Sequence, residues 1–394
     1  MNTRTLFVNH SATMGGAEFC LLDVATSMRD RSHVVLLEDG PFREQLRERG
    51  ISVQIVQAGA MHGVRRGSTV PGPGAMLGLW HAAREVATIA GAFDVLHANS
   101  QKALIVGSVA AMRARKPLVW HLHDIIERPW FSRINIAADV LAANHCADRV
   151  IAVSHATADA FVRQGGQAAK VQVIHNGIDA TQFAGIAPAS RHALGLPASK
   201  VIGCFSRLAE WKGQHVLIEA ASQLPEAHVL LVGGPLFGEH AYERRLRDLV
   251  GALHMADRVH FLGQRSDVAS LMLAVDLVVH PSTAPEPFAR TLIESMLSGH
   301  PPVASACGGI PELIESGRTG YLFTPGDVAG LRALLGRLLD TPDEVAQAAA
   351  AAKEHATRDF AMARYVAAVE AQLTAVADAH RAPRRRARTP GLSS

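Results

Sequence analysis

The chain has 394 residues, of which 48% are hydrophobic, and its formal net charge at pH 7 is +3. A chain of this length is too long to fold around one ordinary hydrophobic core, so we expect two domains. The nearly balanced charge and the aromatic content of 5% argue against a nucleic-acid-binding protein, because such proteins need a basic surface or aromatic stacking platforms.

The sequence also bears on the compartment of the protein. Its four cysteines are far apart and form no C-x-x-C pair, which favours buried thiols in a reducing compartment. The N-terminus lacks the long apolar core of a signal peptide, and no apolar run approaches the ~20 residues of a membrane span. We therefore expect a cytoplasmic protein, at most peripheral to the inner face of a membrane. The basic run Arg381–Arg388 predicts either a disordered solubilising tail or a weak attraction to an anionic membrane surface.

Strands and helices alternate through the first half of the chain, which predicts a parallel sheet. The first strand is expected at Leu6–Val8, and the helix after it extends to Met28. The loop between them contains Gly15, Gly16 and Glu18, and a strand–loop–helix unit of this kind is typical of nucleotide or phosphate sites. The loop has neither the dinucleotide fingerprint nor the P-loop pattern. A tight turn with good helix packing is the alternative.

A second loop in the first half carries two neighbouring cations. The segment Gly59–Gly74 is rich in glycine and proline and includes Arg65 and Arg66, so it is expected to be a mobile loop. One hypothesis is that these arginines contact an anionic acceptor such as a lipid diphosphate. The alternative is an ordinary solvated basic loop.

Two histidines end a predicted strand at Leu118–His121. The sequence there reads His121-Leu122-His123-Asp124, and open α/β sheets bind ligands at the carboxyl ends of their strands. The spacing is compatible with a metal site, but the acid and histidine that complete metallohydrolase patterns are missing. A metal site is therefore disfavoured. His123 and Asp124 at this strand end are candidates for a ligand site, the alternative being a polar cap on the next segment.

The second half repeats the alternation after a segment rich in proline, alanine and glycine, Ala184–Ser190. A strand at Val201–Phe205 leads into a loop with Arg207 and Lys212. Two cations that converge at the carboxyl end of a strand would neutralise a diphosphate leaving group. Taken alone, such a loop is more often simply solvated. A later turn contains Gln264.

Two carboxylates bracket the start of a helix expected at Phe288–Leu297. Glu286 lies in the proline-rich loop before it and Glu294 lies eight positions further on, a helical rise of ~12 Å. The free N–H groups and the positive dipole end between them suit a phosphate. The carboxylates could therefore hold hexose and ribose hydroxyls on either side of a diphosphate. The alternative is a turn acid and a solvated helix acid.

This stretch resembles the Glu-x7-Glu signature of retaining glycosyltransferases of family four, which have the GT-B fold. The resemblance continues through Gly308–Leu313 and Gly317–Phe323 and covers most of the chain. It implies two Rossmann-like domains whose parallel sheets face a central cleft. The expected units are an acceptor-side domain (1–180), a nucleotide-sugar donor domain (181–360), a helix that crosses back to the first domain (361–380) and a basic tail (381–394).

The resemblance also implies roles for individual residues. The position after Phe288 is often glycine in the family, and Ala289 here implies a narrowed or reshaped sugar pocket. The catalytic candidates are His123, Arg207, Lys212 and Glu286. The donor-binding candidates are Gly15, Gly16, Arg207, Lys212, Gln264, Phe288, Ala289, Arg290, Thr291, Leu292 and Glu294. The acceptor-side candidates are Glu18, Arg65, Arg66 and Asp124.

The implied reaction moves a hexose-type sugar from a UDP- or GDP-linked donor to a hydroxyl acceptor with retention of configuration, in glycolipid, polysaccharide or glycoconjugate biosynthesis. Neither a metal nor a cofactor is expected, and the partners are a nucleotide sugar and an acceptor. The alternatives are a sugar-nucleotide epimerase of the same fold and a non-catalytic nucleotide-sugar binding protein. A dehydrogenase and an acyl hydrolase are disfavoured because neither the glycine fingerprint nor G-x-S-x-G occurs.

Overall fold

A computed structural model describes residues 3–57, 73–198, 200–236 and 238–382. Within these residues the chain forms two parallel sheets, one from each half. The strands of the first sheet are β1 (Thr5–Asn9), β2 (Ser32–Leu36), β3 (Ser52–Ile55), β4 (Val95–Ala98), β5 (Leu118–Leu122), β6 (Arg149–Ala152) and β7 (Val171–Val173). The helices that connect them are α1 (Gly16–Ser27), α2 (Pro41–Glu48), α3 (Pro73–Ala90), α4 (Gln101–Ala114), α5 (Arg133–Cys146) and α6 (His155–Arg163).

The second sheet has the same alternation. Its strands are β8 (Val201–Phe205), β9 (His228–Val232), β10 (Val259–Gly263), β11 (Leu277–His280), β12 (Val303–Ser305) and β13 (Tyr321–Phe323). The helices of this half are α7 (Gln214–Ser222), α8 (His240–Ala252), α9 (Val268–Met272), α10 (Arg290–Leu297), α11 (Val328–Asp340) and α12 (Pro342–Asp359). The two halves thus each form a parallel-sheet α/β unit, as the sequence predicts.

The central strands are apolar because helices cover both faces of each sheet. All residues of β1, β5 and β8 are buried. The strand order is β3-β2-β1-β4-β5-β6-β7 in the first sheet and β10-β9-β8-β11-β12-β13 in the second. The order therefore reverses between β1 and β4, and again between β8 and β11. In open parallel sheets the loops at such a reversal form the ligand crevice.

The last helix, α13 (Met362–Arg381), returns to the first sheet. Its apolar side chains lie in one buried cluster with Phe7, Leu21 and Val119, and Arg31 pairs with Glu370 at 2.7 Å. None of the described helices is long and apolar enough to cross a membrane.

Two sequence-based boundaries differ from the structure. The helix expected from Phe288 begins at Arg290, because Ala289 is its N-cap with φ −91° and ψ 89°. The basic tail expected from Arg381 begins later, since Arg381 is the last residue of α13 and pairs with Asp94 at 2.7 Å. A cation at a helix C-terminus is also favoured by the helix dipole. The remainder of that tail, 383–394, lies outside the described residues.

Candidate active site

Lys212 is held at the end of the loop that follows β8. The next residue, Gly213, has φ +72°, and a Cβ there would overlap the backbone carbonyl of Pro281 in the loop after β11. Only glycine permits this approach, because it combines a left-handed backbone with a missing side chain. The two loops at the β8/β11 reversal are thereby packed together. The ammonium of Lys212 lies 4.3 Å from the ring centroid of Trp211 and 2.5 Å from Oε1 of Glu286.

Glu286 is the centre of a buried charge network. Glu286 is only 3% exposed. Besides its contact with Lys212, Oε1 accepts hydrogen bonds from His280 Nε2 at 2.8 Å and from Ser282 Oγ at 2.5 Å. Burial would raise the pKa of Glu286, but the charge of Lys212 and the His280 contact outweigh it and hold the pKa far below its ordinary value. Burial lowers the pKa of His280. The network thus contains a carboxylate, an ammonium and a neutral imidazole.

The Gly308–Leu313 segment packs against the turn that carries Glu286. Gly308 has φ +58°, and a Cβ on it would overlap the backbone of Glu286. Gly309 N–H donates to the carbonyl of Glu286 at 2.7 Å. The turn that carries the Glu286 carboxylate is therefore positioned by a second, closely packed turn.

Glu312, in the same segment, contacts the other half of the chain. Its carboxylate accepts the backbone N–H groups of His155 and Ala156, at 2.7 and 2.8 Å, and bonds His175 Nε2 at 3.0 Å. These N–H groups belong to the first turn of α6, where the helix dipole favours an anion. A carboxylate of the second half thus satisfies a helix terminus of the first.

Arg290, the first residue of α10, also reaches the first half. Its guanidinium lies 3.3 Å from Cys20 Sγ, 3.4 Å from the carbonyl of Gly177 and 3.6 Å from Asp23 Oδ2. Burial raises the pKa of Asp23 to about 6, although Arg290 opposes that shift. A Cβ on Gly16 would lie 4.0 Å from Cδ of Arg290. The glycine loop after β1 therefore faces the N-terminus of α10.

Glu294 lies one turn into α10. Burial raises its pKa, and the nearby charge of Arg290 only partly offsets this effect. Among the described residues its carboxylate has no hydrogen-bond partner. A partly buried carboxylate without a partner destabilises the free protein unless a ligand supplies one.

The other donor-binding candidates of this segment differ in what they can offer a ligand. Ala289 and Leu292 are buried in the hydrophobic cluster around α10, and Phe288 packs 5.9 Å from the His175 ring. The φ of −91° at Ala289 is open to any residue, so the methyl group is accommodated without backbone strain. Leu292 is core, whereas Thr291 is partly exposed. The terminal N–H groups of α10 are the part of this segment suited to an anion.

In the first half, a polar chain links the glycine loop to His123. His123 Nε2 is 3.0 Å from Asn99 Oδ1, and Asn99 Nδ2 donates to the carbonyl of Ala17 at 3.1 Å. Since the Asn99 amide nitrogen is a donor there, its oxygen accepts the Nε2 proton of His123. Asn9 Nδ2 donates to Glu18 Oε1 at 3.1 Å. Sequence reasoning did not select Asn9 and Asn99, although each stands at the end of a strand beside the β1/β4 reversal.

Burial shifts the pKa values of His123 and Glu18 towards their neutral forms. Burial, followed by the charge of Arg290, lowers the pKa of His123 to about 3. Burial raises the pKa of Glu18 to about 7. At neutral pH His123 is therefore an uncharged imidazole that offers a hydroxyl group a lone pair on Nδ1. Asp124 accepts a hydrogen bond from Gln101 at 3.1 Å.

The guanidinium of Arg207 is paired with a carboxylate in this structure. Its Nη1 bonds both carboxylate oxygens of Glu239, at 2.7 and 2.6 Å, and its guanidinium carbon is 5.4 Å from the Trp211 ring centroid. Glu239, just before α8, carries no motif that would have revealed it. Both cations of the β8 loop are thus paired with carboxylates.

The structure places the predicted site residues in different parts of the molecule. Lys212 bonds Glu286 in the loop before α10, and Arg290 and Glu294 belong to the first part of that helix. Arg290 lies opposite Gly16, and its charge acts on His123. Gln264 is an exposed turn residue beyond β10, beside Gly234. Arg65 and Arg66 lie outside the described residues. Within the described ranges no group of three or more His, Cys, Asp or Glu side chains is arranged to hold a metal.

Comparisons with known proteins identify the family of this chain. A model of the family described as glycosyl transferases group 1 matches residues 188–355, and one described as Glycosyltransferase Family 4 matches residues 14–182. The D-inositol 3-phosphate glycosyltransferase of Streptomyces scabiei is 32% identical over 314 residues, which cover 74% of this chain and 70% of the relative. The enzyme of that name from Mycolicibacterium gilvum is 32% identical, over 59% of this chain, and the match spans little more than half of its length, 55%.

Solved structures give a longer match. Anabaena HepE in complex with UDP is 38% identical, with a TM-score of 0.85, and the match covers 94% of this chain and 100% of HepE. The same protein in complex with UDP-glucose has a TM-score of 0.86 and covers 95% of this chain. A sucrose-phosphate synthase from Thermosynechococcus elongatus, at 20% identity and a TM-score of 0.79, supports the fold alone.

Proposed function

Because the chain belongs to glycosyltransferase family 4 and has the GT-B fold, we propose that it transfers a hexose from a UDP-linked donor to a hydroxyl acceptor with retention of configuration. The observation that carries this proposal is the arrangement along the start of α10: Lys212 bonds Glu286 in the loop before the helix, and Glu294 lies one turn into it. Glu286, the terminal amides with Lys212, and Glu294 offer carboxylate, amide and cation, and carboxylate sites in the order in which a sugar nucleotide presents hexose, diphosphate and ribose. The preference for UDP over GDP is supported by the UDP complexes of HepE.

Each part of the donor has a partner in this arrangement. The diphosphate lies against the terminal N–H groups of α10 and the glycine loop, where dipole and amides favour an anion. Arg207 and Lys212 exchange their carboxylate partners for phosphate oxygens. Glu294 accepts the ribose hydroxyls, and Glu286 and neutral His123 contact the hexose. The donor-site cations supply the charge that a metal would otherwise supply.

The reaction proposed for this site replaces one C–O bond at the anomeric carbon with another on the same face of the sugar. The bond from C1 to the β-phosphate oxygen breaks, and the acceptor oxygen bonds to C1. The acceptor proton passes to the departing phosphate oxygen. Lys212 and Arg207 stabilise the negative charge that develops on the diphosphate, which is the main electrostatic demand of the step.

A direct assay tests the proposal. Purified protein is incubated with UDP-glucose, UDP-galactose or GDP-mannose and with hydroxyl acceptors that include methyl pyranosides and D-inositol 3-phosphate. We expect release of UDP together with an α-glycoside, the configuration being read by NMR. Epimerised donor without glycoside would indicate a sugar-nucleotide epimerase, and binding without any turnover would indicate a non-catalytic binding protein. Either outcome contradicts the proposal.

Replacing Glu294 with alanine is expected to weaken UDP binding by roughly 10-fold or more, because a hydrogen bond to a charged group contributes about 1.5–3 kcal/mol. The same change should leave the melting temperature unchanged or raise it, since it removes a buried carboxylate that has no partner. Calorimetric UDP titration and thermal unfolding measure the two effects.

The control for that change is Glu354→Ala on α12. Glu354 is exposed and lies 3.7 Å from Arg358 on the surface, and none of the proposed donor contacts uses it. Its UDP affinity should equal that of the parent protein. A Glu294→Ala protein with unaltered UDP affinity would remove Glu294 from the donor site.

Replacing Glu239 with glutamine is expected to strengthen UDP binding by about threefold to tenfold. Glu239 and the diphosphate compete for Arg207, and a partly exposed ion pair is worth about 1 kcal/mol. Glutamine keeps the shape of the side chain and removes its charge. The control is Glu243→Gln on the same helix, whose carboxylate pairs with Arg247 at 2.7 Å. Weaker UDP binding by Glu239→Gln alone would show that Glu239 supports Arg207 and does not compete for it.

A further inference from the structure

A cavity of about 510 Å³ lies between the two halves of the chain, next to the proposed donor site. Trp130, from the segment between β5 and α5, lines one side, and Trp211 and Thr283 line the other. The ring centroids of the two tryptophans are 6.1 Å apart at an interplanar angle of 59°. None of the donor contacts proposed above uses Trp130. The volume falls within the range of small-molecule sites, ~300–1,000 Å³.

The position of the cavity connects it to the reaction. The ammonium of Lys212 lies over one face of the Trp211 ring, and Lys212 bonds Glu286. The carbonyl of Trp211 accepts the backbone N–H of Thr283 at 2.8 Å, three residues before Glu286. A molecule in the cavity therefore lies within one side chain of the place proposed for the donor hexose.

The lining of the cavity contains two carboxylates, Glu210 and Glu239, and one cation, Arg245. Glu210 Oε2 bonds Arg245 at 2.8 Å, and Glu239 bonds Arg207, which lies outside the lining. When a diphosphate takes Arg207, the lining keeps an excess of negative charge, so it does not attract an anionic ligand. A paired carboxylate nevertheless keeps unused lone pairs, since it offers about four acceptor positions. The cavity therefore suits a neutral ligand that is rich in hydroxyl groups.

The aromatic side chains of the lining favour a ligand with a flat apolar face. The C–H face of a pyranose ring is apolar and flat enough to pack on an indole, while its equatorial hydroxyls point to the rim. Trp130 is 41% exposed, so part of its ring surface is open to a ligand in the cavity. A nucleobase would fit the tryptophans as well, but the proposed ribose site is Glu294 on α10, whereas the cavity is lined from that part of the chain only by Thr283 and Ala284 of the preceding loop.

We propose that this cavity binds a neutral pyranose ring of the acceptor, held between Trp130 and the rim of Glu210 and Glu239. The inference rests on the proposed function, because it assigns the acceptor of that reaction. It makes the acceptor a glycan or glycoside and disfavours a free inositol phosphate, whose negative charge the carboxylates of the lining would repel.

The test uses the full chain saturated with UDP. Methyl α-D-glucopyranoside, methyl α-D-mannopyranoside, methyl α-D-galactopyranoside and, separately, D-inositol 3-phosphate are titrated while intrinsic tryptophan fluorescence is recorded. We expect a saturable change with at least one methyl pyranoside. The Trp130→Ala protein should bind that pyranoside about tenfold more weakly, a typical cost for a buried tryptophan contact, and Trp130→Phe should recover part of the loss.

The matched control is Trp80→Ala on α3. Trp80 is 42% exposed and stacks with Arg84 at 4.7 Å, so the same substitution is made at equal exposure outside the cavity. Its pyranoside affinity should not change. No saturable binding of any methyl pyranoside, binding of D-inositol 3-phosphate alone, or equal affinities of Trp130→Ala and the parent protein would each overturn the assignment.

A UDP titration of the same protein without added nucleotide, and a pyranoside titration at the same UDP concentration, separate the two proposals. If UDP binds and no pyranoside does, the donor site stands and the acceptor cavity is wrong. If a pyranoside binds in a Trp130-dependent manner and no nucleotide does, the cavity stands and the proposed donor site fails.

Discussion

Replacing Lys212 with methionine is expected to lower turnover by about 10²–10³-fold, the range found when one preorganised charge-stabilising donor is removed. Methionine keeps most of the apolar stem over Trp211 and removes only the ammonium. Because the diphosphate charge develops in the transition state, the loss should fall on kcat more than on the KM for the donor. Steady-state kinetics with the donor that gives transfer measures both constants.

The control for this change is Lys200→Met. Lys200 belongs to the same half of the chain but pairs with Glu226 at 2.7 Å on the surface, so its removal should leave both constants unaltered. A Lys212→Met protein with turnover within a few-fold of the parent would contradict the proposed leaving-group role.

The same variant should show an altered dependence of stability on pH. In the parent protein the depressed pKa of Glu286 contributes stability at neutral pH, and that contribution is lost only as the pH falls through the low folded-state value. Without Lys212 the buried carboxylate lacks its ammonium partner, which is expected to cost about 3–5 kcal/mol at neutral pH. Protonation of Glu286 relieves this cost, so the difference in melting temperature should shrink as the pH falls from 8 towards 5. A difference that is constant with pH would show that the loss has another cause.

Gly308→Ala is expected to lower turnover by about 100-fold and to destabilise the protein by several kcal/mol. The added Cβ would overlap the backbone of Glu286, and a left-handed alanine alone costs roughly 1–2 kcal/mol. Relief of the overlap requires a shift of the Glu286 turn, and a displacement of about 1 Å can reduce turnover 10²-fold. Thermal unfolding and donor turnover are measured on the same preparation.

Gly317→Ala separates the two causes. Gly317 has φ +83°, and a Cβ on it would meet no atom within 4 Å. It therefore carries the left-handed penalty without the overlap. We expect a small loss of stability and unchanged turnover. If both variants reduced turnover equally, backbone strain would explain the effect and the Gly308–Glu286 contact would not.

Arg207 and Arg290 show which features of this site can be predicted from the sequence. The strand-loop pattern places both at the carboxyl end of the second sheet, and the structure agrees with that placement. The partners of the two guanidiniums are not visible in the sequence. Glu239 is 32 positions from Arg207, and Cys20 is 270 positions from Arg290. No local pattern encodes such a pairing, because it depends on how loops of distant segments meet.

Asn99 and Trp130 show a second limit. Each is a single residue without a motif, so its neighbours in the chain do not distinguish it from an ordinary loop residue. Asn99 can be found only once the strand order places β4 beside β1, which brings its amide between His123 and the glycine loop. Trp130 acquires meaning only when the second half brings Trp211 within 6.1 Å of it.

The sequence by itself determined the alternation of strands and helices, the two halves, and the loops that carry Gly16, Lys212 and Glu286. These features are local: apolar runs, helix starts and glycine-rich turns follow from neighbouring residues and from backbone sterics. Tertiary structure alone decided which charges pair, which carboxylate stays without a partner, and where a cavity opens between the halves. Those properties arise from burial and from contacts between segments hundreds of positions apart, and neither quantity can be read from a residue and its neighbours along the chain.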